Sequence, residues 1–421
     1  MKRLSVLLVA VLLIASVFPA LAQEGESFVT VMHYFTGTLG RESLNQIFQE
    51  FQHETGITIF DNPIGHEDFK TTILVMAAGG DLPDLFSYWA GARVQFVVDS
   101  GALAPIDELW NANNLDEVVP ASIAQGATLY NGARYLIPFG YHYAGFFYNP
   151  AVMEAAGITE FPATWDEFKA MCDTLLASGV TPIALGSMNR WPAQFWFDYL
   201  LLRTAGPEYR AALMAGEASY TDPQVVRVME LWKELVDKGY FVPDANAYDW
   251  TDAADQVANG EAAMTLMGTW ITGYWNGQGL EPVTNYDFFP FPTIDEGVPN
   301  AVVGPVDGFV MSANAAHPIS AQKLLLYLLT NTDAQAIWAV GQGALSPNVN
   351  VDPSIYNDVM SRAADTVAAA DTFAFNYDLA TTPPMAEGGL DLFAKFMNDP
   401  AGYQTYLEET QAVAVQVFGG S

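Results

Sequence analysis

The sequence predicts an α/β protein of two or three domains, on three observations. Strand-like alternation and helix-like spacing take turns between residues 28 and 88, as in one half of a doubly wound sheet. The length of 421 residues exceeds one ordinary domain. A further block, Asn259 to Trp275, reads as helix stop, buried strand, tight turn and aromatic corner: Gly260 can end a helix, Ala262 to Met267 is an apolar run of strand length, and Gly268 frees a turn that delivers Trp270.

Taken in order, Lys2 and Arg3, the apolar run Leu4 to Phe18 and the small-residue site Ala20-Leu21-Ala22 match a secretory signal, 1–22, cleaved after Ala22. Phe28 to Tyr34 alternates like a strand, and Leu44, Ile47, Phe48 and Phe51 repeat at helical spacing before Gly56. A strand from Ile57 to Phe60, a helix from about Glu67 to Ala78 and a strand at Leu85 to Tyr88 complete βαβαβ, so the loops after Tyr34 and Ser87 should lie side by side. Arg134 to Asn149 is extended, aromatic and broken by Pro138 and Gly140, which suits a crossing between lobes near Phe139. Thr164 to Glu167 has the form of a capping box, with Phe168, Met171, Leu175 and Leu176 behind it. Asp287 to Pro292 is a second extended crossing, near Phe291, and Pro305 to Ser312 a further strand.

Composition excludes several function classes. Formal charge is -32, and loss of Lys2 and Arg3 with the signal makes it -34. The cause is a shortage of bases, 16 Lys and Arg against 48 acids, and such a surface repels nucleic acid and anionic lipid. Cys172 is the only cysteine, in a helical apolar pattern, so there is no disulfide framework, no thiolate metal cluster and no cysteine after the signal to carry a lipid. Asp249, Asp252 and Asp255 lack the spacing and central glycine of a calcium loop and read better as acids at a helix start, so no metal is expected. No His-Glu-x-x-His, Gly-x-Ser-x-Gly, phosphate loop or nucleotide fingerprint occurs, which leaves no cofactor and no catalytic group to assign.

Six stretches then carry a resemblance. They are Gly79 to Leu85, Gly101 to Asp107, Tyr135-Leu136-Ile137-Pro138 with Tyr148-Asn149, Gly157 followed by Pro162 to Phe168, Gly260 to Met264 with Gly268-Thr269-Trp270, and Asp307-Gly308-Phe309. In this order they resemble the extracellular solute-binding proteins of family 1, the carbohydrate receptors of ABC importers, over nearly the whole mature chain. Glu261 stands where that family usually has lysine. The resemblance implies the two-lobed periplasmic-binding-protein type II fold: an N-terminal lobe of 23–139 and 292–331, a C-terminal lobe of 140–291 and 332–421, and a third crossing near Asn331. It implies a monomer without enzymatic activity, periplasmic or secreted, that takes a sugar in the interlobe cleft and presents it to the membrane permease.

Residue by residue, the family's cleft positions fall on Tyr34, Thr36, Gly37, Ser87, Trp89, His142, Asn189, Arg190, Trp191, Trp270 and Asp307. A sugar offers C–H faces and hydroxyl edges, so aromatic planes and hydrogen-bonding side chains suit it; Trp89 and Trp270 are expected to stack, and Asp307 to make paired hydroxyl contacts. Plainer readings stand beside these. Asp84 reads better as a turn at Pro83, His142 as a structural histidine, and Trp165, Trp232 and Trp338 as core; Arg190 is balanced between site and surface, and Tyr274 and Trp275 stay open. Two other functions remain: a secreted carbohydrate-active enzyme with a carboxylate pair, or the same fold binding a polyol, phosphodiester or polyamine.

Overall fold

A computed structural model describes residues 26–419. The secretory-signal expectation falls on residues outside that range. In chain order the strands of the two main sheets are β1 (Phe28–His33), β2 (Thr58–Pro63), β3 (Leu85–Trp89), β4 (Leu136–Tyr141), β5 (Ala144–Tyr148), β6 (Thr181–Ile183), β7 (Ala262–Gly268), β8 (Asp287–Phe289) and β9 (Val306–Met311). The first sheet runs β2-β1-β3-β9-β4 and the second β8-β5-β7-β6. β1 pairs in parallel with β2 and β3, as the alternation of strand and helix requires, whereas β9 is antiparallel to both its neighbours.

Each sheet has its own apolar core. Leu44, Ile47, Phe48 and Phe51 form the buried stripe of helix Thr38–Thr55, which ends where Gly56 takes a φ of 70°. In the second lobe the capping box between Thr164 and Glu167 starts helix Trp165–Ala177, and Phe168, Met171, Cys172 and Leu175 are buried behind it. Trp165 and Trp232 belong to the second core and Trp338 to the first, as their helix-face positions require. Asp249 and Asp252 form a second capping box at Trp250–Ala258, so these acids serve a helix start.

The first crossing lies a little beyond where the sequence places it, and the second and third lie more than ten residues beyond. β4 belongs to the first sheet and β5 to the second, so the first crossing is His142-Tyr143, just past Phe139. Phe291 and Ala301 to Val303 pack in the second core, the latter paired with Thr372–Ala374, and the chain returns at Gly304-Pro305. Asn331 is not a crossing: Ala334, Trp338 and Ala344 still pack in the first core, and the chain rejoins the second only at Val359. The physical reason is that helix Thr332–Gln342 lies against Thr38–Thr55 of the first lobe.

Candidate functional site

Sheet register builds one wall of the cleft. Asp307 pairs with Trp89 across β9 and β3, and a register shift follows at Gly308. Tyr34 leaves the end of the neighbouring strand β1 and stacks on Trp89, with ring centroids 4.1 Å apart and planes 14° from parallel. Its hydroxyl donates to Asp307 Oδ1 at 2.6 Å. Burial, and then the adjacent carboxylate, push this phenol well above its ordinary range, so it stays a donor. His142, in the first crossing, sits 3.3 Å from Asp307 Oδ2 through Nε2. Its Nδ1 lies 2.9 Å from Thr269 Oγ1 and 3.2 Å from the Gly343 carbonyl. One imidazole in the first crossing thus holds Asp307 and Gly343 on the first-lobe side and Thr269 at the end of the second-lobe strand β7.

The other wall comes from helix starts and turns. Trp270 opens helix Trp270–Gly277 directly after β7, where the sequence suggests only an aromatic corner. Its indole meets Trp191 and His142 edge to face, at 5.9 and 5.3 Å. Tyr274, one turn further, also lines the cleft, and Trp275 does not: it is fully buried and donates Nε1–H to the Ala254 carbonyl. Asn376, Asp378 and Leu379 line the inner end from the short helix Tyr377–Ala380 and the residue before it.

The walls touch. Trp191 Nε1 donates to Glu67 Oε1 at 3.2 Å across the cleft, and buried Arg93 of the first lobe pairs with buried Asp378 of the second at 3.2 Å. Gly91, at φ 94°, lets Tyr377–Ala380 approach, because a Cβ there would collide with the Leu379 carbonyl oxygen. Glu67 has its carboxyl lowered to about 2: burial would raise it, and the His66 and Lys70 donors outweigh burial. Between the closed walls lies a cavity of about 470 Å³.

Eight of the eleven expected site residues line this cavity: Tyr34, Thr36, Gly37, Trp89, His142, Trp191, Trp270 and Asp307. Three do not. Ser87 is one pleat down in β3, fully buried, and its hydroxyl accepts from the Tyr34 backbone N–H at 3.3 Å. Asn189 donates to Asp249 at 2.7 Å. Arg190 is held by Glu387 and Asp391 at 2.7 and 2.6 Å, away from the cleft. His142 is both structural and cavity-lining, and Asp84 lies outside the cavity lining, where its carboxylate accepts from the backbone N–H groups of Thr30 and His317, a long-range tie and not a local turn. The sequence reading missed His66, Lys70, Gln194, Asn376 and Asp378. Among the described residues no group of three or more His, Cys, Asp or Glu could hold a metal ion.

With two lobes closed on an aromatic cleft in view, comparison with known proteins is informative. The model of the bacterial extracellular solute-binding protein family matches residues 37–335, well over half of the chain. This chain belongs to that family. This solute-binding protein is 30% identical to an uncharacterized ABC transporter extracellular-binding protein of Pyrococcus horikoshii, over 81% of this chain and 76% of that one. It is 24% identical to a probable sugar-binding periplasmic protein of Rhizobium meliloti, over 88% and 87% of the two chains. In structure it is similar to the bacterial solute receptor AcbH, described as exclusively preferring β-D-galactopyranose, with a TM-score of 0.86, 26% identity and coverage of 94% and 100%. A chitin oligosaccharide binding protein shares the fold at a TM-score of 0.85, with 23% identity and coverage of 94% and 100%.

Proposed function

We propose that this solute-binding protein is the extracytoplasmic receptor of an ABC importer, and that it binds a mono- or oligosaccharide in the interlobe cleft and presents it unchanged to the membrane permease. The observation that carries the reading is the cavity itself. The stacked Tyr34 and Trp89 rings on one wall and Trp270 and Trp191 on the other offer planes for C–H faces, while Asp307, Asp378, Asn376 and Gln194 offer partners for hydroxyls. The lobes would open about His142, Gly304 and the stretch 346–358, and close as the cross-cleft contacts of Trp191 and Arg93 form. The protein acts as a periplasmic or secreted monomer, neither an enzyme nor a binder of nucleic acid.

Thermal shift and tryptophan fluorescence against neutral pentoses, hexoses and their disaccharides test the reading, with the sugar recovered and identified after each hit. A saturable shift with the sugar recovered intact is expected. A consumed sugar would make the protein an enzyme instead.

A further inference from the structure

We propose that Glu67 and Arg93, two first-lobe residues that do not line the cavity, are positioning residues: each holds a cavity-lining residue of the second lobe in the closed form, and so sets how slowly a bound sugar leaves. The inference rests on the carbohydrate reading above and concerns the rate of release, not the choice of sugar.

The same arrangement occurs at two places. Trp191 and Asp378 line the cavity from the second lobe, whereas their partners Glu67 and Arg93 stand behind the lining of the first. Trp191 Nε1 donates to Glu67 Oε1, and Arg93 Nη2 donates to Asp378 Oδ2, each at 3.2 Å. A sugar in the cavity would therefore meet the indole and the carboxylate of the second lobe, but not the groups that hold them. Trp191 also packs edge-on against Phe195, and the Asp378 N–H bonds Gln194, so both keep their anchors in the second lobe when the lobes part.

Each first-lobe partner is fixed by its own surroundings. Glu67 Oε2 accepts from Lys70 Nζ at 3.0 Å, and His66 Nδ1 lies 2.7 Å from Oε1, all three residues being in helix His66–Gly79. The carboxylate is thus aimed before Trp191 reaches it. Arg93 stands in the first turn of helix Ala92–Asp99, with its guanidinium carbon 5.5 Å from the Trp89 ring centroid. The chain before it leaves room for the second lobe: the Gly91 N–H is held by the Tyr130 hydroxyl at 2.9 Å, and the Leu379 carbonyl oxygen occupies the space a Cβ would need. Groups ordered in advance lose little freedom when the contact forms, so more of the contact's strength goes to the closed form. Both contacts cross between lobes and are broken when the lobes separate. Removing one therefore weakens the closed form alone, and a sugar enters the open form at the old rate and leaves faster.

The test is calorimetry and stopped-flow tryptophan fluorescence on the full chain with D-galactose, maltose, xylobiose and chitobiose, the kinetics being followed with the tightest binder among these sugars. Glu67→Ala and, separately, Arg93→Met should each speed release about tenfold, the scale of one hydrogen bond to a charged group. The association rate and the melting temperature of the free protein should stay in place. Glu67→Gln keeps an acceptor for the Trp191 N–H and should restore most of the slow release, a recovery that a general loosening of the fold would not give. Release at the parent's rate in both variants, or Glu67→Gln releasing as fast as Glu67→Ala, would overturn this inference and leave the carbohydrate reading standing. A parent protein that binds none of these sugars would overturn the carbohydrate reading, and this inference with it.

Discussion

The two walls of the cleft are built by different means. On the first-lobe wall Tyr34, Trp89 and Asp307 are set by adjacent strands β1, β3 and β9, so the backbone ladder itself fixes their spacing before any side chain chooses a partner. On the second-lobe wall Trp191 follows Arg190 at a φ of 64°, Trp270 begins a helix, and Asp378 sits on a four-residue helix. That wall is positioned by side-chain ties between distant segments. The Tyr377 backbone N–H bonds Asp198 and the Asp378 N–H bonds Gln194, links of 179 and 184 residues. The difference teaches that strand pairing fixes the first wall, whereas the second depends on buried side-chain ties between segments far apart in the chain, so single substitutions at those ties should disturb the second wall more than the first.

Removing the carboxylate that anchors the first wall should have the largest effect. Asp307→Ala leaves the buried Tyr34 hydroxyl without its acceptor, and urea unfolding should show a loss of roughly 3 kcal/mol. A loss under about half a kcal/mol, no more than a typical surface substitution, would mean the wall does not depend on its polar centre. Next, Trp270→Ala should weaken binding of the best sugar by about 2 kcal/mol, from lost ring area and stacking, with a much smaller change in stability because this indole is only half-buried. An unchanged titration would take Trp270 out of the site.

The second wall also carries a pH signature. Burial raises the Asp198 carboxyl from 3.8 to about 6, with Arg210 only partly opposing. The folded chain therefore binds more protons here than the unfolded chain. This contribution to stability is present in full below about pH 4 and is lost as the pH rises through about 6, at up to about 1 kcal/mol per pH unit. Asp198→Asn should flatten that part of the stability–pH curve relative to the parent; parallel curves would show that Asp198 titrates normally. The smallest effect is expected from Arg190→Ala. Its pairs with Glu387 and Asp391 are exposed, so stability should fall by about 0.5 kcal/mol and sugar affinity should not move. A tenfold loss of affinity would return Arg190 to the site.

The same contrast decides what was legible in the sequence. Tyr34, Trp89 and Asp307 lie at strand ends that period-two alternation locates, and their meeting follows from the order of the sheet. Trp270 was legible through the strand and glycine before it, although the helix it begins was not. Asn376 and Asp378 carry no local signal, because what brings them to the cleft is Asp198, Gln194 and Arg93, each more than 170 residues away. Arg190 and Asn189 looked like site residues beside Trp191, and only the acids at 249, 387 and 391 draw them off. The third crossing moved for a similar reason: the packing of Thr332–Gln342 on Thr38–Thr55 joins segments far apart in the chain.

A crystal structure of the protein with the neutral sugar that gives the largest thermal shift is the most direct test. The account predicts a ring lying against Trp270 between the two walls, with hydroxyls on Asp307 and the first-lobe wall unmoved from the arrangement of Tyr34 on Trp89. A sugar bound on an outer face, with the cavity between Trp89 and Trp270 filled by water, would contradict it.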